Sequence, residues 1–316
     1  MRYLLLIVLL LVALSKASPT NPGYSEYQDD LTLKGVIDFH AHADPDSMAR
    51  SIDVVELAQK ARAAGMRGLV IKNHYEATAG YAYLARKLVP GVEAFGGIAL
   101  NRSVGGINPA AVESMAEIKG GFGRVVWMPT FDAENHVRFF RENRPFVRIS
   151  DRGKLLAAVL DLLKIVVEKN LILETGHSSA EECLLLIEAA HHAGVRKIVV
   201  THALMNPINM TIEQQKKAAA IGAFIEHAAV GTLQGPSAAV ASQRAWKRIT
   251  IQEYAAAIKA VGAEHSIISS DLGQLGNPTH TDGLRSFINA LKQEGISDRE
   301  IDLMTRKNPA RLLGLD

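Results

Sequence analysis

A closed barrel of eight parallel strands, each followed by a helix, is the α/β architecture this sequence predicts: a single (β/α)8 TIM barrel. Three observations predict it. Eight short apolar runs recur along the 316 residues, helix-like stretches separate them, and most runs are apolar nearly throughout rather than alternating. Continuous apolarity marks parallel strands covered on both faces, and strand–helix alternation implies a parallel sheet. A doubly wound open sheet is the alternative, yet no Gly-x-Gly-x-x-Gly follows the first strand.

The beginning of the chain stands apart. Met1-Arg2, the apolar run Leu4 to Leu14, then Ser15-Lys16-Ala17 read as a secretory signal peptide over residues 1–17, cut after Ala17. The run is shorter than the ~20 apolar residues that spanning needs. No cysteine follows it and no Arg-Arg pair precedes it, so the expectation is an exported protein, periplasmic or secreted, without a stable membrane anchor after cleavage. Residues 18–33 read as a flexible leader and residues 34–316 as the barrel domain.

Strands are expected at Val36–His42, Gly68–His74, Glu93–Leu100, Arg124–Thr130, Leu171–His177, Lys197–Leu204, Ala223–Ala229 and Ser266–Gly273. Capping boxes begin helices at Ser179 to Glu182, Thr211 to Gln214, Thr250 to Glu253 and Ser297 to Glu300. Gly65, Gly194, Gly222, Gly262 and Gly295 stand where helices stop. At the tail, Asn308 reads as the N-cap of a helix with Pro309 in its first position. Two stretches exceed the minimal plan: the Arg-rich Phe131 to Asp151 after strand four, a lid or a solvated insertion, and Gly231 to Lys247 after strand seven.

Composition narrows the function. Charged residues make up 22% and the net charge is +2 with no basic run, so no nucleic-acid partner is expected and a small-molecule substrate is. A hydrophobic fraction of 48% suffices for one large core. Cys183 is the sole cysteine in the sequence, which forbids an intramolecular disulfide, and its surroundings read as a helix interior. A homo-oligomer is left open.

His40, His42, His177, His202 and Asp271 each fall at the C-terminal end of an apolar run, and in a barrel those ends converge on one face. Four imidazoles and a carboxylate there suit a divalent transition metal, with Zn2+ expected first and Mn2+ or Fe2+ in its place. In Asp38-Phe39-His40-Ala41-His42 the period of two puts Asp38 on the face of both histidines, where it can orient a ring. Asp271 is the expected catalytic proton acceptor. Lys72, His74, Arg102 and His227, near other strand ends, are substrate-facing candidates, with Lys72 and Arg102 suited to an anionic group and His74 to a further ligand position. The competing reading makes Lys72 and Arg102 salt-bridge partners at the rim and the histidines core residues. Glu174, three residues before His177, is expected to turn away from the cavity. His136 and His280, in expected loops, receive no role.

Taken with the strand-eight Ser270-Asp271 and the tail Asn308-Pro309-Ala310-Arg311-Leu312-Leu313-Gly314-Leu315, these motifs make residues 34–316 resemble the amidohydrolase superfamily. Lys72-Asn73-His74-Tyr75, Leu100-Asn101-Arg102, Val126-Trp127-Met128-Pro129-Thr130 and Thr175-Gly176-His177 are similar to a branch catalogued as a domain of unknown function. The resemblance implies a metal-activated water attacking an amide, lactone or ester. It also admits a related branch of metal-dependent decarboxylases acting on unsaturated or aromatic acids, and, as a third class, a non-enzymatic barrel that binds a metal or ligand. Many binuclear members bridge two ions with a strand-four lysine or glutamate. Here Val125-Val126-Trp127-Met128-Pro129-Thr130 offers neither, so one ion is favoured over two.

Overall fold

The computed structural model describes residues 31–316; the expected signal peptide and most of the leader lie outside the described residues. The eight barrel strands are β1 (Ile37–Ala41), β2 (Gly68–Ile71), β3 (Glu93–Ala99), β4 (Gly123–Trp127), β5 (Ile172–Glu174), β6 (Ile198–Val200), β7 (Phe224–Ala228) and β8 (Ser266–Ser269). They pair in parallel in chain order. The end of β8 returns to β1: the Asp271 N–H donates to the His40 carbonyl (2.8 Å) and the His42 N–H to the Leu272 carbonyl (2.9 Å). The expected (β/α)8 barrel is therefore the observed fold.

Helices α1 (Val54–Ala63), α2 (Ala79–Leu88), α3 (Pro109–Ala116), α4 (Glu134–Phe139), α5 (Ala157–Glu168), α6 (Ala180–Ala193), α7 (Ile212–Ile221), α8 (Ile251–Val261), α9 (His280–Gln293), α10 (Asp298–Asp302) and α11 (Asn308–Leu313) complete the chain. The four capping boxes read from sequence close reciprocally at Ser179, Thr211, Thr250 and Ser297. Among the described residues no helix is long and apolar enough to cross a membrane.

Packing follows the layers of a barrel. Ile37, Phe39, Val70, Trp127, Ile172 and Val199 fill the interior. Leu57, Ala61 and Leu69 on one side, and Leu162, Leu173 and Cys183 on the other, join strands to helices. Cys183 is buried, its Sγ faces the Ser178 carbonyl at 3.6 Å, and burial pushes its thiol up to about 12, so it is an inert core residue. Ala310, Leu312 and Leu313 of α11 join the interior cluster with Ile37 and Phe224, which open their strands, and so floor the barrel.

Three expectations are corrected. The strands stop one to four residues earlier than the apolar runs suggest, so most of the predicted ligands sit on the first turn beyond a strand. Asn308 does not cap α11. It follows a π-helical turn, Leu303–Lys307, and its amide donates to the carbonyls of Ala263 and Ser266 (both 2.8 Å), tying α11 to the entry of β8. Asp38 does not share a face with His40 and His42. The β1–β2 register places Asp38 level with Leu69 and Ala41 level with Ile71, so two residues of β1 oppose one of β2. This β-bulge shifts the phase by one and turns Asp38 from the histidine face.

Candidate metal centre

The centre is assembled where β1 and β8 meet. The chain leaves the ends of β8 and β6 under constraint: Asp271 has φ 51° and His202 has φ 26°. Non-glycine residues in this region cost about 1–3 kcal/mol each and persist where surroundings enforce them. Gly273 (φ +127°) is required nearby, since a Cβ there would lie 2.2 Å from the His42 carbonyl oxygen. Gly176 (φ +61°) makes the turn that delivers His177, and its missing Cβ leaves room for the carbonyls of Met128 and Pro129.

His40 Nε2 and His42 Nε2 lie 3.2 Å and 3.0 Å from the same oxygen, Asp271 Oδ1. One ligand atom from each of the three residues falls within 4.8 Å of the other two, the one such group of three or more among the described residues. His40 is held from behind. Glu226 Oε1 lies 3.0 Å from His40 Nδ1 and also accepts from the Ser269 hydroxyl (2.6 Å), while Oε2 accepts from the His202 N–H (2.8 Å). A carboxylate at Nδ1 puts the His40 proton there, so the lone pair of Nε2 faces inward. That nitrogen is buried without a hydrogen-bond partner, as expected for a nitrogen aimed at a cation.

Burial lowers the basicity of every ring nearby. His40 is pushed to about 3 and His202 to about 4, with His42, His74 and His177 well below the ordinary value, each primarily through desolvation. Neutral imidazoles are the form that ligates metal. The donor chemistry, the orphaned Nε2 and the convergence of three ligand atoms fit a divalent ion held by His40, His42 and Asp271. His42 carries one qualification: the Arg50 guanidinium, which has only donors, points NH2 at His42 Nδ1 (3.2 Å). The same guanidinium is already paired with Asp46, whose Oδ2 lies 2.6 Å from both Arg50 Nε and NH2, and ligation through His42 Nε2 would require the ring proton on Nδ1.

His42 and Asp271 line a cavity of about 870 Å³ that also carries His74, His177, His202, Lys72 and Arg102. His202 stacks on His40 with ring centroids 6.1 Å apart, and His177 stands 5.1 Å from His202. His74 stacks on His42 at 4.9 Å while its Nδ1 is engaged by Thr130 Oγ1 at 2.9 Å. Lys72 rises from the interior beside Trp127, its Nζ 5.4 Å from the ring centroid, buried and without a hydrogen-bond partner. Arg102 is exposed at the rim. Phe131, Phe140 and Trp246, from the two long loops after β4 and β7, form an aromatic wall.

Residues 35–226 match the model of a family of unknown function, DUF6282. The chain belongs to that family. No curated protein matches it. Solved structures do. An amidohydrolase from Pseudomonas aeruginosa superposes with TM-score 0.59 at 13% identity, covering 90% of this chain and 96% of the other. A putative 2-pyrone-4,6-dicarboxylic acid hydrolase from Pseudomonas putida gives 0.56 at 18%, covering 89% and 98%. A mutant organophosphorus hydrolase from Deinococcus radiodurans gives 0.58 at 14%, covering 90% and 94%. At these identities the likeness is one of fold: the DUF6282 chain shares the barrel architecture of these structures.

Two positions of this family member depart from the sequence reading. His227 is not at the cavity. It is level with Ile268 in the β7–β8 register, packs against Tyr254 of α8 at 5.9 Å, and lies in the strand–helix layer. Its neighbour Glu226 takes the inward position instead. Glu174 is inside the barrel, two residues beyond interior Ile172, where its Oε2 accepts from Thr201 Oγ1 (2.9 Å). The turn at Gly176 breaks the alternation that was expected to relate it to His177. Burial, then Glu226, pushes the Glu174 carboxyl up. Asp38 reaches no ring; its Oδ1 accepts from the backbone N–H of Ser270 (2.8 Å) and His40 (3.2 Å), and burial pushes it up to about 7.

Glu226, Arg50 and His136 were not read as site residues. A carboxylate within an apolar strand signals a buried partner, and that signal was available for Glu226. Nothing local marks Arg50 or His136: Arg50 reaches the site from the loop after β1, and His136 from α4, a short helix inside the long segment after β4.

Proposed function

We propose that this protein is a metal-dependent hydrolase that directs water at an amide, lactone or ester bond of a small anionic molecule. The observation that carries the reading is the convergence of His40, His42 and Asp271 ligand atoms within 4.8 Å, with His42 and Asp271 lining a cavity of about 870 Å³ and His40 buried behind them. One divalent ion, zinc ahead of manganese or iron, is held by these three, with His202 and His177 lining the remaining approach. When bound, such an ion supplies Lewis acidity, polarising a carbonyl and lowering the pKa of water toward ~7. Asp271 accepts the proton of the attacking water and returns it to the leaving group. Lys72, the buried cation without a hydrogen-bond partner, and Arg102 at the rim hold the anionic end of the substrate. Phe131, Phe140 and Trp246 pack its apolar part and exclude water. Export follows the signal-like first 17 residues.

Lys72 also favours a second reading. Lys72 lines the same cavity as His42 and Asp271; burial lowers its pKa, and a substrate carboxylate at the reacting end, as a decarboxylase requires, would hold it charged. Incubating the metal-loaded protein with esters, lactones, amides and aromatic acids and following product mass separates the two: products that together carry one added water support hydrolysis, and loss of carbon dioxide supports the lyase. Elemental analysis finding no transition metal in protein purified without chelators overturns both.

A further inference from the structure

His136 and His177 meet through the same kind of atom. Their Nδ1 nitrogens lie 2.9 Å apart, both rings are buried, and they stack at 5.0 Å with 25° between planes. A hydrogen bond between two such nitrogens holds one proton, so one ring donates and the other accepts. The surroundings decide which. On the far side of His136, Nε2 lies 4.0 Å from Glu142 Oε1. A carboxylate there favours the proton on His136 Nε2, which leaves His136 Nδ1 as the acceptor and makes His177 Nδ1–H the donor. The next residue back grips the same histidine by its backbone: Asn135 Nδ2 donates to the His177 carbonyl at 3.1 Å. Two consecutive residues at the start of α4 therefore hold His177, one by the ring and one by the main chain.

We infer that His136 is a positioning residue that fixes His177 as its Nδ1–H tautomer, leaving the His177 Nε2 lone pair to a metal ion, so that the segment after β4 completes the centre. The inference rests on the metal reading above and extends it. The segment is well anchored for this task. Arg144 bonds to Asp132 and, at 2.6 Å, to the Phe131 carbonyl, and Asp132 Oδ2 accepts the backbone N–H of Arg102 at 2.8 Å. Phe131, Phe140 and Trp246 surround the His136 ring, with centroids 4.7–5.9 Å away, and keep competing water from the Nδ1 pair. The stretch is thus more than an insertion over the mouth: its first helix carries the outer partner of a candidate ligand.

The test uses the full-length mature protein with Zn2+ and Co2+ as probes. His136→Phe keeps an aromatic ring in the aromatic wall and removes the acceptor; His136→Gln retains an acceptor oxygen. Chelator competition is expected to show metal affinity falling 10–100-fold in His136→Phe and largely restored in His136→Gln. The visible bands of the Co2+ protein should change in the first variant and return toward wild type in the second. Wild-type affinity and spectrum in His136→Phe overturn the inference. Should that variant fail to fold, histidine 15N shifts of the wild-type zinc protein decide: Nδ1–H with a metal-shifted Nε2 on His177 supports it, whereas Nε2–H on His177 overturns it. A wild-type protein that binds neither ion defeats the metal reading itself, a result distinct from wild-type binding that His136→Phe leaves unchanged.

Discussion

The ends of β1 and β7 make an instructive pair. Both carry histidine in an apolar strand, yet β1 turns His40 and His42 inward while β7 turns His227 outward and Glu226 inward. The difference is one of phase. A bulge between Asp38 and Ala41 advances β1 by one residue, whereas β7 runs in unbroken register against β8. Residue type alone therefore does not make a ligand; the face does, and a single inserted residue resets the face. The two strands are also complementary, since the inward Glu226 of β7 is what orients the inward His40 of β1.

The strongest way to break this comparison is to exchange the fates of the two histidines. His40→Ala is expected to lower metal content by ~10²-fold or more, the loss of a ligand together with its oriented lone pair exceeding the 10–100-fold seen for outer partners. Elemental analysis showing full loading in His40→Ala would reverse the assignment of faces. Asp271→Asn comes next. It keeps size and one oxygen, so much of the metal should remain while turnover of a competent substrate falls by ~10² or more. Undiminished turnover at normal loading moves the proton-accepting role elsewhere. Glu226→Gln sharpens the link between the strands: it should weaken metal binding by ~10–100-fold, because the charge that holds the His40 proton on Nδ1 is lost and the amide NH2 cannot accept from all three donors the carboxylate takes.

Acid stability gives a smaller, distributed effect. His40 and His136 are pushed to about 3, His202, His227 and His280 to about 4, and His42, His74 and His177 well below 6.5. Between those values and 6.5 the unfolded chain binds protons that the native rings refuse, so their contribution is present above 6.5 and lost as pH falls toward 3–4. Asp38 and Glu76, raised to about 7, and the raised Glu174 and Glu226 act oppositely, but they are fewer. The metal-free protein should therefore lose thermal stability from pH 6.5 to 4; a flat profile would mean the rings are charged in the native state. The smallest effect belongs to His227→Phe. Both ring nitrogens of His227 are buried without partners, so an apolar ring of similar shape should leave metal content unchanged and stability equal or higher. Loss of metal in His227→Phe contradicts its outward placement.

The same comparison measures how far the sequence could be read. Barrel closure, the order of strands and the capped helix starts follow from local patterns that the fold leaves undisturbed. His40, His42 and Asp271 were legible because each ends an apolar run, and the fold brings those ends together. Phase was less legible. β7 has apolar neighbours on both sides, which leaves its facing undetermined, and the bulge in β1 has no local sequence mark. His136 and Arg50 were out of reach for a different reason: a loop residue and a short helix inside a long βα connection arrive at a site by tertiary path, which no periodicity encodes.

The floor of the barrel carries a further consequence, for the order in which the molecule acquires its shape. Asn308 binds the carbonyls of Ala263 and Ser266, Arg306 Nε binds that of Lys34, and Arg67 binds that of Leu315 across a sequence separation of 248. α11 follows all eight strands in the sequence, so the lower interior of the barrel is covered only once that helix docks. Contacts that join the two ends of a chain carry the largest loop-closure entropy and form late. Docking of α11 is accordingly the expected final step of folding, and a chain stalled before Asn308 presents its apolar floor to chaperones rather than a finished site to substrate.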